Sequence, residues 1–234
     1  MPAADVIIYI LLLTGAALSF ITRKLTLTGA ITGAVVGLLI YKGAGYTGLA
    51  MLALFFIAGS WATGWRVNQK EAIGAAEKNT GRRTAGQVLA NGGTAALLGG
   101  IAWYFPACTA VVELMIAGSF AAATADTLSS ELGTIYGRQF FNILTFKKDM
   151  RGLDGVVSWE GTLIGLAGAF LIAIVYAVSF GWGVSVCWIV LAGFIGNLVD
   201  SVLGALLERK GLMGNNMVNF LNTVVGAGVC WLVS

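Results

Sequence analysis

Long apolar runs broken by short polar links dominate the chain. Eight such runs are readable, at Val6–Ile21, Thr26–Tyr41, Gly45–Gly64, Gln87–Phe105, Ala107–Leu132, Val157–Phe180, Val184–Leu207 and Asn216–Val233. Most are long enough to cross a hydrocarbon core of about 30 Å as a helix, and helices satisfy their own backbone groups there. The pattern therefore predicts an all-α, polytopic integral membrane protein with about eight transmembrane helices. The second run is short, which predicts a tilted or partly inserted segment. The first run has no basic flank before it and reads as a membrane helix, not a cleaved leader.

Composition strengthens this picture. Of 234 residues, 58% are hydrophobic and 11% charged, and the mean hydropathy is +0.86. That leaves no room for a separate soluble domain, so residues 1–234 read as a single membrane domain. Glycine is abundant, at 33 residues, and proline rare, at 2, as in closely packed membrane helices with small residues at their interfaces. Cys108, Cys187 and Cys230 have no paired spacing and read as buried small residues. Histidine is absent, which excludes imidazole metal ligands, His general bases and a Ser-His-Asp triad.

The placement of charge matters more than its net value of +3. All of the 14 Lys and Arg residues except Lys42 fall on alternate connections, after the first, third, fifth and seventh runs. The positive-inside rule makes those connections cytoplasmic and places both termini outside. Two of them are long, near 66–86 and 134–156, so a soluble substrate would be met there. The expected location is a bacterial or archaeal plasma membrane with the site on its cytoplasmic side.

Polar residues gather at that same depth. The fifth run ends in ADTLSSELG, where Asp126, Ser129, Ser130 and Gly133 share one helical face and Glu131 is offset. An ionisable group in a membrane segment is costly unless it is paired, bound to an ion or facing water. Arg83, Gln87 and Asn91 enter the fourth run at i, i+4, i+8. Asp154 and Ser158 lead into the sixth. Asn197, Asp200 and Ser201 lie near the cytoplasmic end of the seventh, and Asn215, Asn216, Asn219 and Asn222 begin the eighth. Each group alone reads as a cap or an interhelical hydrogen bond; five helices converging favour a shared polar cavity. IAGSFAAATADTLSS and LAGFIGNLVDSVLGA are weakly alike, which places Asp126 and Asp200 in analogous positions. Glu113 lies toward the outer end and reads as a packing contact. Carboxylates beside hydroxyls suit a hard cation such as Mg²⁺, so Asp126, Glu131 and Asp200 are the candidate metal ligands. Arg83, with Lys147, Lys148 or Arg151, would balance phosphate charge. No Walker A or convincing GxGxxG sequence is present.

These motifs resemble the membrane family of plant phytyl-phosphate kinase, which also contains human transmembrane protein nineteen. The likeness covers the last two-thirds of the chain. It rests on Arg83, Gln87, Val88, Asn91 and Gly92, then on Asp126, Thr127, Ser130, Glu131 and Gly133. Gly196, Asp200, Ser201, Gly204 and Ala205 follow, and then Asn215, Asn216, Val218 and Asn219. GLDGVVS, Gly152 to Ser158, departs from the family pattern at Leu153 and Val156, and Gly214 stands where an Asp is common. A looser resemblance, through Asp126, Thr127, Ser130, Gly133 and Gly137, is to dolichol kinase. Both imply a CTP-dependent, Mg²⁺-using kinase of an isoprenoid alcohol or monophosphate. The first implies phytyl or geranylgeranyl phosphate as acceptor and a diphosphate as product. Under it, Asp126, Glu131 and Asp200 hold metal. Arg83, Gln87 and Asn91 hold phosphate, and Asn215 and Asn219 orient nucleotide or acceptor. Thr127, Ser130, Lys147, Arg151, Asp154 and Ser158 complete the binding set. The rival reading is a transporter or channel with a buried ion site, which would need polar groups continuing toward the outside.

Overall fold

The computed structural model describes residues 3–74 and 81–234. Lys78, one of the basic residues that set the predicted orientation, lies outside them. The described chain is almost wholly helical: α1 (Ala3–Ile21), α2 (Leu27–Gly64), a short α3 (Val67–Ala72), α4 (Ala85–Tyr104), α5 (Thr109–Tyr136), α6 (Trp159–Phe180), α7 (Val184–Leu203) and α8 (Asn215–Leu232). Four helical stretches, 27–64, 106–136, 159–180 and 184–208, are long and apolar enough to cross a membrane. Large apolar side chains on the outer faces stay exposed, among them Leu13, Ile57, Leu97, Leu163 and Val178, as expected where lipid is the solvent.

The second and third predicted runs form one element, α2, because only Gly45 interrupts them. Its φ of 57° and ψ of −146° lie where a side chain is rarely tolerated. The chain reverses there. A Cβ at Gly48 would stand 2.8 Å from the Cβ of Ala44, while Gly29 near the start and Gly59 near the end both lie against Arg83. The helix is thus a hairpin of two legs, each about 27 Å long at 1.5 Å per residue.

α5 is the hub. α2, α4, α6, α7 and α8 all pack on it, and every residue from Ile116 to Asp126 is buried. Small residues make this possible: Gly118 and Gly226 face each other so closely that a Cβ on either would meet the other's carbonyl oxygen. Such approach is how membrane helices gain packing without a hydrophobic drive between them. Phe55 and Phe120 pack ring to ring at 6.1 Å inside the same core.

The two ends of the bundle differ. At one, Tyr41 donates to Asp5 at 3.0 Å and Lys42 pairs with the same carboxylate at 3.4 Å. At the other, the loop between α5 and α6 forms a small antiparallel pair, β1 (Phe141–Asn142) with β2 (Val156–Val157). α7 continues there into a π-helical turn, Gly204–Glu208. Arg209, just beyond, grips both oxygens of Asp149 at 2.6 and 3.3 Å, fastening that loop to the end of α7. The start of α1 and the end of α8 lie at the Asp5 end.

Candidate functional site

The loop end of the bundle holds a polar cavity of about 260 Å³. Twelve of the fourteen residues singled out from sequence line it. From the entrance to α4 come Arg83, Gln87 and Asn91. α5 supplies Asp126, Thr127, Ser130 and Glu131, and the α5–α6 loop supplies Asp154 and Ser158. Asp200 comes from α7, and Asn215 and Asn219 from the first turns of α8. Lys147 and Arg151 are the exceptions: both are exposed on the loop and outside the cavity. Their charge is solvated, which leaves Arg83 as the cation predicted from sequence that does line it.

Arg83 is held by its backbone. Its N–H donates to the Lys24 carbonyl at 2.9 Å, and its own carbonyl accepts from Thr26 N–H at 3.0 Å. This pins the α4 entrance to the α1–α2 turn. The side chain is 7% exposed and its guanidinium lies 5.1 Å from the centre of the Phe55 ring, a cation–π arrangement. Gly59 makes room for it, since a Cβ there would stand 2.6 Å from Nη2. One turn on, Gln87 forms a capping box with Thr84, its Oε1 accepting from Thr84 N–H at 2.9 Å. That oxygen is committed to the helix start, and the amide NH₂ is the part left for a ligand. Asn91 donates to the Gln87 carbonyl at 3.1 Å, while its Oδ1 is buried without a partner. Ser158 likewise doubles as the α6 cap, accepting from Gly161 N–H at 3.1 Å.

The acids divide into two kinds. Glu131 is paired: Lys70 of α3, 1% exposed, reaches its Oε2 at 2.5 Å and also donates to the carbonyls of Ala62 and Thr63. The three-carboxylate set expected around one ion is therefore not assembled, because Glu131 is neutralised inside the protein. Asp126 and Asp200 instead face each other across α5 and α7. Ser130 donates to Asp126 at 3.5 Å, and Asp200 Oδ2 is buried with no hydrogen-bond partner. Two facing acids with an orphaned oxygen are costly unless a cation or donor arrives. Among the described residues, no three Asp, Glu, Cys or His side chains are close enough to enclose an ion. A pair suffices for Mg²⁺, which usually takes one or two carboxylates and completes its shell with water and substrate phosphate. The donors present fit that ion.

Two neighbours escaped the sequence reading. Glu208 lines the cavity from the π-helical turn, beside Asn215 and near Asp154 and Asp200. Its spacing from Asp200 through Gly204, four and four, was the available signal. Lys70 gave none, since its partner is 61 residues away. In the loop, burial raises the Asp154 carboxyl above its ordinary value, opposed by Arg209. The Arg209 contact holds Asp149 down at about 2.

The family profile "Integral membrane protein DUF92" matches residues 10–227, a span that contains every cavity residue. An uncharacterized membrane protein of Synechocystis is 35% identical over 201 residues, covering 83% of this chain and 77% of its own. One from Methanocaldococcus jannaschii is 36% identical over 205 residues, covering 88% and 84%. Protein VTE6, chloroplastic, of Arabidopsis thaliana is 33% identical over 221 residues, covering 89% of this chain and 65% of its own. The chain thus spans a little under two-thirds of the length of that plant relative. No solved structure matches.

Proposed function

We propose, from the premise that this chain belongs to the integral membrane family DUF92, that it is a CTP-dependent kinase of a membrane isoprenoid monophosphate. Phytyl or geranylgeranyl phosphate would be the acceptor, and the site would face the cytoplasm. The observation that carries the reading is the facing pair Asp126 and Asp200, with Oδ2 of Asp200 unpartnered, at a polar cavity that also holds Arg83. Further support comes from the motif resemblance to the phytyl-phosphate kinase family, whose quoted residues surround this cavity.

In this reading an acceptor phosphate oxygen attacks the γ-phosphorus of CTP. The bond from that phosphorus to the β-bridging oxygen breaks, giving the isoprenoid diphosphate and CDP. No proton has to leave the acceptor, so a general base is not required and the lack of His is no obstacle. Mg²⁺, when bound, would neutralise nucleotide phosphate charge. Asp126 and Asp200 would hold it, Arg83 would clamp acceptor phosphate with two parallel hydrogen bonds, and Asn215 and Asn219 would orient nucleotide. Positioning and charge neutralisation are what phosphoryl transfer chiefly asks of a protein. Glu131, already paired, would shape the site rather than bind the ion.

A transport path would need the polar lining to continue toward the Asp5 end. Instead α5 carries the fully buried Phe120 and Ile116 in that direction, with Ile189 of α7 also fully buried. This favours chemistry at one face. The decisive assay mixes purified protein, Mg²⁺, CTP or ATP, and labelled phytyl phosphate or phytol, and scores the diphosphate. Turnover of phytyl phosphate with CTP is the expected result. Preference for phytol would move the reaction to the dolichol-kinase type, and no turnover with any nucleotide would sink the kinase reading.

A further inference from the structure

An apolar groove of about 320 Å³ opens beside the polar cavity, between α1, the two legs of α2 and the start of α4. Arg83 and Gln87 line both spaces. Two other apolar grooves, at α4–α8 and α6–α7, carry no charged residue. The Phe55 ring that carries the Arg83 guanidinium is itself a wall of the first groove, so cation and apolar surface meet at one point. A ligand with a phosphate head and a hydrocarbon body matches that junction. Much of the remaining wall is Gly or Ala, as at Gly15, Ala16, Gly33, Ala34 and Ala53. Such residues leave recesses along the wall, where methyl branches of an isoprenoid chain fit better than against a smooth one. Along α1 the groove runs from Ser19 to Leu11, about 12 Å at helical rise, with the outer face of α1 exposed.

We propose that this groove seats the proximal part of the acceptor's single isoprenoid chain, which enters sideways from the bilayer with its monophosphate at Arg83. The identity of the head group rests on the kinase reading above; the seat itself does not need transfer to occur. The far end of the chain extends into lipid, so the site selects head and branching near the head more than total length.

The test uses full-length protein in detergent and labelled phytyl monophosphate, without nucleotide. Ala34→Phe and Ala53→Phe should each weaken binding about tenfold, equivalent to losing the burial of about two methylene groups. CTP binding should be unchanged in both. Phytyl monophosphate affinity unchanged in folded variants would overturn the proposal. So would displacement by phosphatidic acid as effective as by unlabelled phytyl monophosphate, since that would mean any phospholipid fits. A second measurement needs no variant: phytyl monophosphate bearing a diazirine on its proximal chain should label peptides from α1 and α2. Label confined to the α4–α8 or α6–α7 face would overturn the assignment. Label in α1 and α2 without any phosphate transfer would sink the kinase and leave the groove, whereas transfer with label elsewhere would sink the groove alone.

Discussion

Asp200 and Gly59 carry the sharpest consequences at the scale of single residues. Asp126 and Asp200 repel each other in a buried place, and Oδ2 of Asp200 has no partner. Asp200→Asn removes that repulsion while keeping the shape, so the thermal midpoint in detergent should hold or rise. Turnover should fall by about a hundredfold or more, as expected when a group holding transition-state charge is lost. A lowered midpoint would mean that Asp200 is structural. Gly59→Ala acts at a distance from the acids. Its Cβ would crowd Arg83 Nη2 at 2.6 Å and Cζ at 3.4 Å, and the guanidinium, the movable party, would leave its seat. The expected outcome is a folded protein whose KM for the lipid phosphate rises about tenfold, the scale of one charge-assisted contact. KM for CTP should change little. These residues also show how far sequence reached. Asp126, Asp200, Asn91 and Asn219 stood out because a polar side chain in an apolar run demands a reason. The capping duties of Gln87 and Ser158 were hidden because a cap and a ligand use the same atoms. Lys147 and Arg151 were overvalued, since charge in a loop is satisfied by water whether or not a site is near.

Among the elements, α3 and the α5–α6 loop act as fasteners. Lys70 ties α3 to α5 through Glu131 and to the end of α2 through two carbonyls. Breaking one side of a buried ion pair leaves the other charge stranded, at a cost of about 3–5 kcal/mol. Lys70→Met should therefore destabilise strongly, and Lys70→Met combined with Glu131→Leu should recover most of the loss, measured as a double-mutant cycle in detergent. Additive losses would show that the pair is uncoupled. The Asp149–Arg209 clamp has a defined pH window. Asp149 has its carboxyl depressed from 3.8 to about 2, so its contribution is complete above about pH 4 and is lost as pH falls through about 2. Proteolysis of the loop should thus be insensitive to this group from pH 5 to 8. Asp149→Asn should speed cleavage throughout that range. The α2 hairpin was legible as two runs, yet its joint was not, since one glycine at positive φ replaces what the pattern suggested was a loop.

For the whole molecule, alternation of basic residues and convergence of polar ones predicted a sided protein, and the fold has that asymmetry. The cavity, the β-paired loop, Lys70 and Arg209 share one end, while Asp5, Tyr41 and Lys42 share the other. In a cysteine-free background, Lys148→Cys should resist an impermeant thiol reagent added outside sealed cells and react after permeabilisation, while Thr47→Cys should show the reverse. Labelling of Lys148→Cys from outside would invert the proposed orientation. What the sequence could not supply was pairing across distance: which acid has a cation, and which groove touches the cavity, depend on helices brought together by α5.

The π-helical turn at Gly204–Glu208 makes chain length itself a constraint. Such a turn holds one residue more than an α-helical one. Excising any one of its residues would restore regular winding and rotate everything after it by about 100°. Glu208 would then swing off the cavity and Arg209 off Asp149, although every helix survived. This stretch would accept many exchanges of one side chain for another, but not the gain or loss of a codon.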